Sequence, residues 1–163
     1  MPNTYSQLNV HAVFTVNHKD NILHLSFRDR LFEYISGTIK NAGQYPLAVG
    51  GYIDHVHILF ELDPDFKVSD ILRIVKANSS KWINDNNFVK CKFGWQSGYG
   101  AFSYSRSQRD NVINYIKNQK DHHTKISFRQ EYQEFLDSFG ISYEKKFLFE
   151  NFDDLYECHP SGV

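Results

Sequence analysis

Tyr45-Pro46-Leu47-Ala48-Val49-Gly50-Gly51-Tyr52-Ile53-Asp54-His55-Val56-His57-Ile58-Leu59-Phe60-Glu61-Leu62 decides the fold. Two apolar runs flank a short turn at Ile53-Asp54, and Gly50-Gly51 closes the first run, which predicts a β-hairpin. In the second run Val56, Ile58, Phe60 and Leu62 share one face, and His55, His57, Leu59 and Glu61 share the other. That is the period of two that a strand imposes.

The flanking segments extend this pattern. Ser6 to Val16 also alternates, with Leu8, Val10, Ala12, Phe14 and Val16 on one face and Asn9, His11, Val13 and Thr15 on the other, so a half-buried strand is expected. Phe27, Leu31, Ile35 and Ile39 recur at helical spacing between Ser26 and Gly43, a helix with a capping candidate at each end. Downstream, Ser69 is placed to cap a helix through about Asn84, with Leu72, Val75 and Trp82 inward. Phe93 to Ser105 is aromatic and broken by glycines, and reads as one or two strands with a bend near Ser97-Gly98. Ser107 opens a helix to about Gln119. The capping-box pattern Ser127-x-x-Gln130 opens another to Phe139, with Phe128, Tyr132, Phe135, Leu136 and Phe139 as its apolar stripe. The order β-α-β-β-α-β-α-α predicts an α+β, ferredoxin-like (RRM-like) split βαβ antiparallel sheet. Its helices lie mainly on one face, followed by a helix bearing Tyr115 and one further helix.

The chain has 163 residues, enough for one domain with a substantial core. Proline and glycine are sparse, and no linker or repeat divides it. One domain is expected over residues 1–140, with an acidic extension over 141–163. Two cysteines are too few for a disulfide framework. No apolar run approaches the ~18 residues of a membrane span, and the first residues lack the features of a signal peptide. A cytoplasmic protein with no membrane partner is expected.

The net charge of -1 argues at first against a nucleic-acid partner, but it averages three unlike segments. Residues 1–66 carry 4 basic and 7 acidic groups, 67–129 carry 12 and 4, and 130–163 carry 2 and 8. A basic middle can attract an anionic polymer even in a neutral chain. The same lysines also suit solvated helix faces. The acidic end is expected to screen the basic stretch or pack against it.

The chemistry-bearing residues fall into two pairs. On a strand, His55 and His57 emerge on the same side with Cβ atoms about 7 Å apart, the reach of one metal ion. Two surface histidines would look the same. Tyr115 and Gln119 are four apart on a predicted helix and so share a face. A phenol is a weak nucleophile at neutral pH, with a pKa near 10, unless its target is polarised. A Gln carbonyl suits a hard divalent cation. Taken alone, Tyr115 with Ile116 suits a core and Gln119 a surface.

Taken together, these residues resemble a known family. His55-Val56-His57 is similar to the histidine–hydrophobic–histidine (HUH) motif. Asn114-Tyr115-Ile116-Lys117-Asn118-Gln119, followed by His122-His123, resembles the nucleophile helix of single-tyrosine HUH transposases of the insertion-sequence-200 type. Trp95-Gln96-Ser97-Gly98-Tyr99-Gly100-Ala101-Phe102-Ser103 resembles the aromatic-glycine segment those enzymes carry between the two motifs. The likeness spans about residues 5–135.

The resemblance implies a bacterial DNA transposase, typically homodimeric, that acts on single-stranded DNA at hairpin-marked ends of a mobile element. Tyr115 would be the nucleophile, forming a 5′-phosphotyrosine link. His55, His57 and Gln119 would hold Mg²⁺ or Mn²⁺. The action would be cytoplasmic, at the nucleoid. For DNA contacts the basic stretch offers Arg73, Lys76, Lys81, Arg106, Arg109, Lys117, Lys120 and Lys125, with His122 and His123 beside them. Tyr99 is the stacking candidate, with Phe102 and Tyr104 nearby.

Three other readings remain open. Gly98 to Tyr104 loosely resembles the RNP1 strand of an RRM, which would make the chain a non-catalytic RNA-binding module. The chemistry could instead serve a replication-type HUH nuclease or a domesticated transposase-like protein. Cys158-His159 with distant ligands could form a zinc site, although Cys91 and Cys158 lack finger spacing.

Overall fold

The computed structural model describes residues 3–18, 22–123 and 125–150. Four strands form one antiparallel sheet: β1 (Asn9–Thr15), β2 (Tyr45–Gly51), β3 (His55–Glu61) and β4 (Gly100–Tyr104). Their order is β2-β3-β1-β4, the split βαβ arrangement. The hairpin pairs Gly50 with His57, and β1 pairs Val13 with His57 and Thr15 with His55. Cross-strand partners share a face, so His11, Val13, His57 and Leu59 all look the same way.

Helices α1 (Leu25–Asn41) and α2 (Val68–Asp85) cover the opposite face. Phe27, Leu31, Ile35 and Ile39 of α1 and Ile71, Leu72 and Val75 of α2 pack there with Val10, Ala12, Phe14, Val56, Ile58 and Phe60 in one core. Each fully buried aliphatic or phenyl side chain contributes about 1.5–3 kcal/mol. Trp82 sits at the edge of this core, stacked on Tyr34 with centroids 5.0 Å apart. Neither α1 nor α2 has a side-chain N-cap. His24 and Lys67 occupy those positions instead of the expected Ser26 and Ser69.

The face carrying the histidines is also covered, so the expected half-buried β1 is buried along its whole length. Helix α3 (Arg109–Lys117) lays Val112 and Ile116 on Ala48 and Leu59. Helix α5 (Phe128–Ser138) lays Phe128, Tyr132 and Leu136 on Val13 and Phe102. Ser127 caps α5 as its sequence predicts, its Oγ accepting from the Gln130 amide at 3.2 Å. The predicted continuous helix through Gln119 is instead interrupted. A 3-10 turn (Arg106–Gln108) precedes α3, the chain unwinds at Asn118, and a short α4 (Gln119–His123) follows.

Beyond α5 the chain returns to the second face. Phe149 is buried among Phe128, Tyr132 and Leu136, and Glu150 exchanges two hydrogen bonds with the Gln96 side chain. The rest of the expected acidic extension, with Cys158 and His159, lies outside the described residues. Among the described residues no helix is long and apolar enough to cross a membrane.

Candidate metal and tyrosine site

Strand β3 delivers His55 and His57 to the second face, fully buried. Helices α4 and α5 close over them, bringing Gln119 and Glu131, which are only 1% and 2% exposed. Phe128 stacks on the His55 ring at 4.4 Å. Tyr115 on α3 completes the group. Its hydroxyl donates to the Glu131 carboxylate and lies 3.1 Å from His122 Nε2. Glycine makes this approach possible. A Cβ on Gly50 would fall 2.4 Å from the Ile116 carbonyl oxygen, so a side chain there would hold α3 off the sheet.

Four residues offer ligand atoms that all lie within 4.8 Å of one another: His55, His57, His123 and Glu131. The hydrogen bonding around them is that of a cation site. His55 Nδ1–H donates to Asp54 Oδ1 at 2.7 Å, and His123 Nδ1–H donates to the Ile126 carbonyl at 2.9 Å. A neutral ring that donates from Nδ1 carries a lone pair on Nε2. Yet both Nε2 atoms face an oxygen, Gln119 Oε1, at 2.9 and 2.8 Å. At His57 the Nδ1 faces His11 Nε2, so Nε2 can carry the proton and donate to Glu131 Oε1 at 2.9 Å. The opposed lone pairs at His55 and His123 need a proton or a metal ion between them and Gln119, so the donor set fits a divalent cation.

Electrostatics follow from the same contacts. Burial works against charge on His55, but the hydrogen bond and charge of Asp54 outweigh it and push the imidazole above its ordinary value. Burial dominates at His57 and His11 and holds both below theirs. Burial also opposes ionisation of Glu131. The surrounding histidines, His57 first, overcome it and hold the carboxyl far below the usual carboxylate range. The Tyr115 phenol is pushed well above its ordinary value, first by burial and then by the Glu131 charge. Burial pushes Tyr104, across a cavity of about 370 Å³ from Tyr115, up to about 12.

Two members of this group escape a sequence reading. Glu131 sits among Gln130, Glu134 and Asp137 and resembles a solvated helix residue. Its spacing from Phe128 and Phe135 places it inside the apolar stripe of α5, and a carboxylate in such a stripe is the signal to look for. His11 stands on the face of β1 expected to be solvated. Its Nε2 lies 2.8 Å from His57 Nδ1. Phe102, Tyr104 and Phe135 surround its ring.

The expected DNA contacts do not form one groove. Lys117, Lys120 and Lys125 are exposed on the Tyr115 side, with His122 and His123 next to the tyrosine and the histidine pair. Arg73 and Lys81 lie on α2, in the layer on the other side of the sheet, where they pair with Asp70 and Asp85. Lys76 is turned inward and donates to the Gln96 and Gly98 carbonyls at 2.8 and 2.7 Å. Arg109 pairs with Glu61 at 2.8 Å, and Arg106 is exposed in the 3-10 turn. Tyr99 packs partly against the first core. Phe102 is buried under α5, so the strand that resembles RNP1 offers no open aromatic face.

The profile of the family described as "Transposase IS200 like" matches residues 4–119. The chain belongs to this family, and so to the transposases. No curated protein matches it. Several solved chains share its fold. A transposase candidate from Deinococcus radiodurans R1 superposes with a TM-score of 0.58 at 20% identity, over 72% of this chain and 94% of the other. A REP-associated tyrosine transposase bound to a REP hairpin gives 0.56 at 14% identity, over 76% and 73%.

Proposed function

We propose that this chain cleaves and rejoins single-stranded DNA at hairpin-marked ends through Tyr115. The observation that carries the reading is the convergence of the Tyr115 hydroxyl, the His55–His57 pair and Gln119 on one buried carboxylate within a single chain. A divalent ion, Mg²⁺ or Mn²⁺, held by His55, His57 and Gln119, would polarise the scissile phosphate and offset its developing charge. Tyr115 Oη attacks phosphorus as the bond to the 3′ oxygen breaks. The products are a 5′-phosphotyrosine and a strand ending in a 3′-hydroxyl. The phenolic proton leaves toward His122, within hydrogen-bond reach of Oη, and passes on to the departing 3′ oxygen, which becomes the hydroxyl. A 3′-hydroxyl then attacks the phosphotyrosine, and Tyr115 departs and recovers its proton. The phosphotyrosine conserves the bond energy, so rejoining needs no nucleotide cofactor.

Of the DNA contacts expected on the Tyr115 side, Lys117, Lys120 and His122 suit the strand entering this site, whereas the His123 side chain is buried, with both ring nitrogens engaged inside the protein. Of the remaining candidates, Arg73, Lys81, Tyr99, Arg106 and Arg109 would serve more distant nucleotides, whereas Lys76 is committed to the Gln96 and Gly98 carbonyls. The hairpin bound by the REP-associated neighbour supports hairpin DNA as the partner class. A homodimer acting in the cytoplasm at the nucleoid completes the reading.

The test is incubation with Mn²⁺ and single-stranded DNA from the flanks of the gene, followed by a denaturing gel. A covalent adduct that Tyr115→Phe abolishes is expected. His57→Ala should lose cleavage while still binding the hairpin. An adduct that persists in Tyr115→Phe would overturn the assignment.

A further inference from the structure

We infer that Glu131 and His123 are ligands of the metal centre, which makes it a site of three imidazoles, a carboxylate and the Gln119 carbonyl that favours a nitrogen-binding transition ion over Mg²⁺. The inference rests on the metal role proposed above for His55, His57 and Gln119, and it extends that role to His123 at the other end of α4 and to Glu131 on α5.

The geometry singles out Glu131. Its Oε1 lies 2.9 Å from His57 Nε2 and 3.6 Å from His55 Nε2. Its Oε2 lies 3.2 Å from His123 Nε2. Three imidazole nitrogens therefore point at one carboxylate. Two of those rings already spend their Nδ1 protons on Asp54 and on the Ile126 carbonyl. A cation placed to satisfy the His55 and His123 Nε2 lone pairs, with His57 giving up its Nε2 proton to join them, has the Glu131 oxygens as its nearest anionic donors. His123 is fixed for this task. Tyr52 stacks on its ring with centroids 5.6 Å apart, and its Nδ1 is tied to the main chain.

Donor chemistry sets the metal preference. Mg²⁺ favours oxygen ligands and keeps much of its water. Imidazole-rich sites suit Zn²⁺, Co²⁺ and Mn²⁺ in the order in which nitrogen affinity falls. A buried carboxylate also balances part of the dication's charge, which lowers the cost of placing it in a closed site.

The arrangement couples the metal to the nucleophile. Glu131 Oε2 is also the acceptor of the Tyr115 hydroxyl. A carboxylate recruited by a cation gives up electron density to it and holds the phenol less tightly. Metal loading then frees Tyr115, and α5 becomes a necessary wall of the active centre.

The experiment uses the full-length metal-free chain and Co²⁺, read by its visible absorption and by calorimetry, with excess Mg²⁺ as competitor. The wild type should bind one Co²⁺ in the presence of Mg²⁺, with a visible band of the intermediate intensity typical of five-coordination. Glu131→Gln should lose more than the roughly 10–100-fold in affinity that loss of a supporting hydrogen bond costs, and should shift the band. His123→Asn should also shift it. Melting of the metal-free variants shows whether each is folded. If Glu131→Gln is not, Glu131→Asp, which keeps the charge on a shorter arm, should still weaken binding. Unchanged affinity and spectrum in folded Glu131 variants would overturn this inference and leave the proposed function standing. A wild type that binds no Co²⁺ would overturn it together with the metal role of His55 and His57. Displacement of Co²⁺ by Mg²⁺ at comparable concentration would overturn the stated preference.

Discussion

The hydroxyl of Tyr115 donates to the carboxylate of Glu131, sixteen residues further along the chain. The same carboxylate receives Gln119 Nε2 and faces His57, His122 and His123. A hydrogen bond to a buried charge contributes more than a neutral one, about 1.5–3 kcal/mol net. Tyr115→Phe should therefore lower the unfolding free energy of the metal-free protein by about that much, measured by urea denaturation. The loss should shrink once a divalent metal is bound, because Glu131 then has another partner. Equal stability of wild type and variant without metal would show that the bond contributes nothing in solution.

His11 gives a prediction of opposite sign for stability and for metal binding. Its Nε2 holds His57 Nδ1 at 2.8 Å, while its own Nδ1 is buried with no hydrogen-bond partner among the described residues. An unsatisfied buried polar atom is costly. His11→Phe places an apolar ring among Phe102, Tyr104 and Phe135, so the metal-free protein should be as stable as the wild type or more so. His57 then loses the partner that orients it, and metal affinity should fall about 10–100-fold. Calorimetric titration with Mn²⁺ beside thermal melting separates the two effects. Affinity at the wild-type level would mean that the sheet alone orients His57.

Much of this architecture is legible in the sequence because it is local. The strand period places His55 and His57 together opposite Val56, helical spacing finds Phe27, Leu31, Ile35 and Ile39, and Ser127 caps α5 as its pattern predicts. What is missed depends on packing between distant segments. Nothing near Asn9–Thr15 signals that α3 and α5 will cover its second face, so His11 reads as solvated. The break at Asn118 is equally hidden, since Tyr115 and Gln119 still meet across it, with Gln119 Nε2 3.4 Å from the Tyr115 carbonyl. Glu131 combines both difficulties, because its partners lie on other elements, 8 to 76 positions away.

Gly50 tests whether the close approach of α3 to β2 positions the nucleophile. A Cβ there would stand 2.4 Å from the Ile116 carbonyl oxygen and 2.9 Å from Ile116 Cγ2. Backbone cannot yield as a flexible side chain does, so Gly50→Ala must shift α3. Overpacking of this kind costs about 1–3 kcal/mol. Tyr115 precedes Ile116, so the same shift should lower the yield of covalent adduct by more than the loss of folded protein explains. Adduct yield per folded molecule is the quantity to measure, and a yield equal to wild type would separate the contact from positioning.

The basic residues divide into those free to meet phosphates and those already engaged. Lys117 and Lys120 are exposed on the Tyr115 side, whereas the Lys76 ammonium is bound to the Gln96 and Gly98 carbonyls and held below its ordinary pKa by burial. For single strands each neutralised phosphate contributes about 0.7 to the slope of log affinity against log salt. Lys117→Ala and Lys120→Ala should each weaken single-strand binding at low salt and flatten that slope by about 0.7. Lys76→Ala should leave the slope unchanged and lower the melting temperature, because it removes the strut under residues 96–98. Fluorescence anisotropy across a salt series, paired with melting curves, distinguishes these roles. A flatter slope in Lys76→Ala with unchanged melting would mean that its ammonium leaves the two carbonyls to meet DNA.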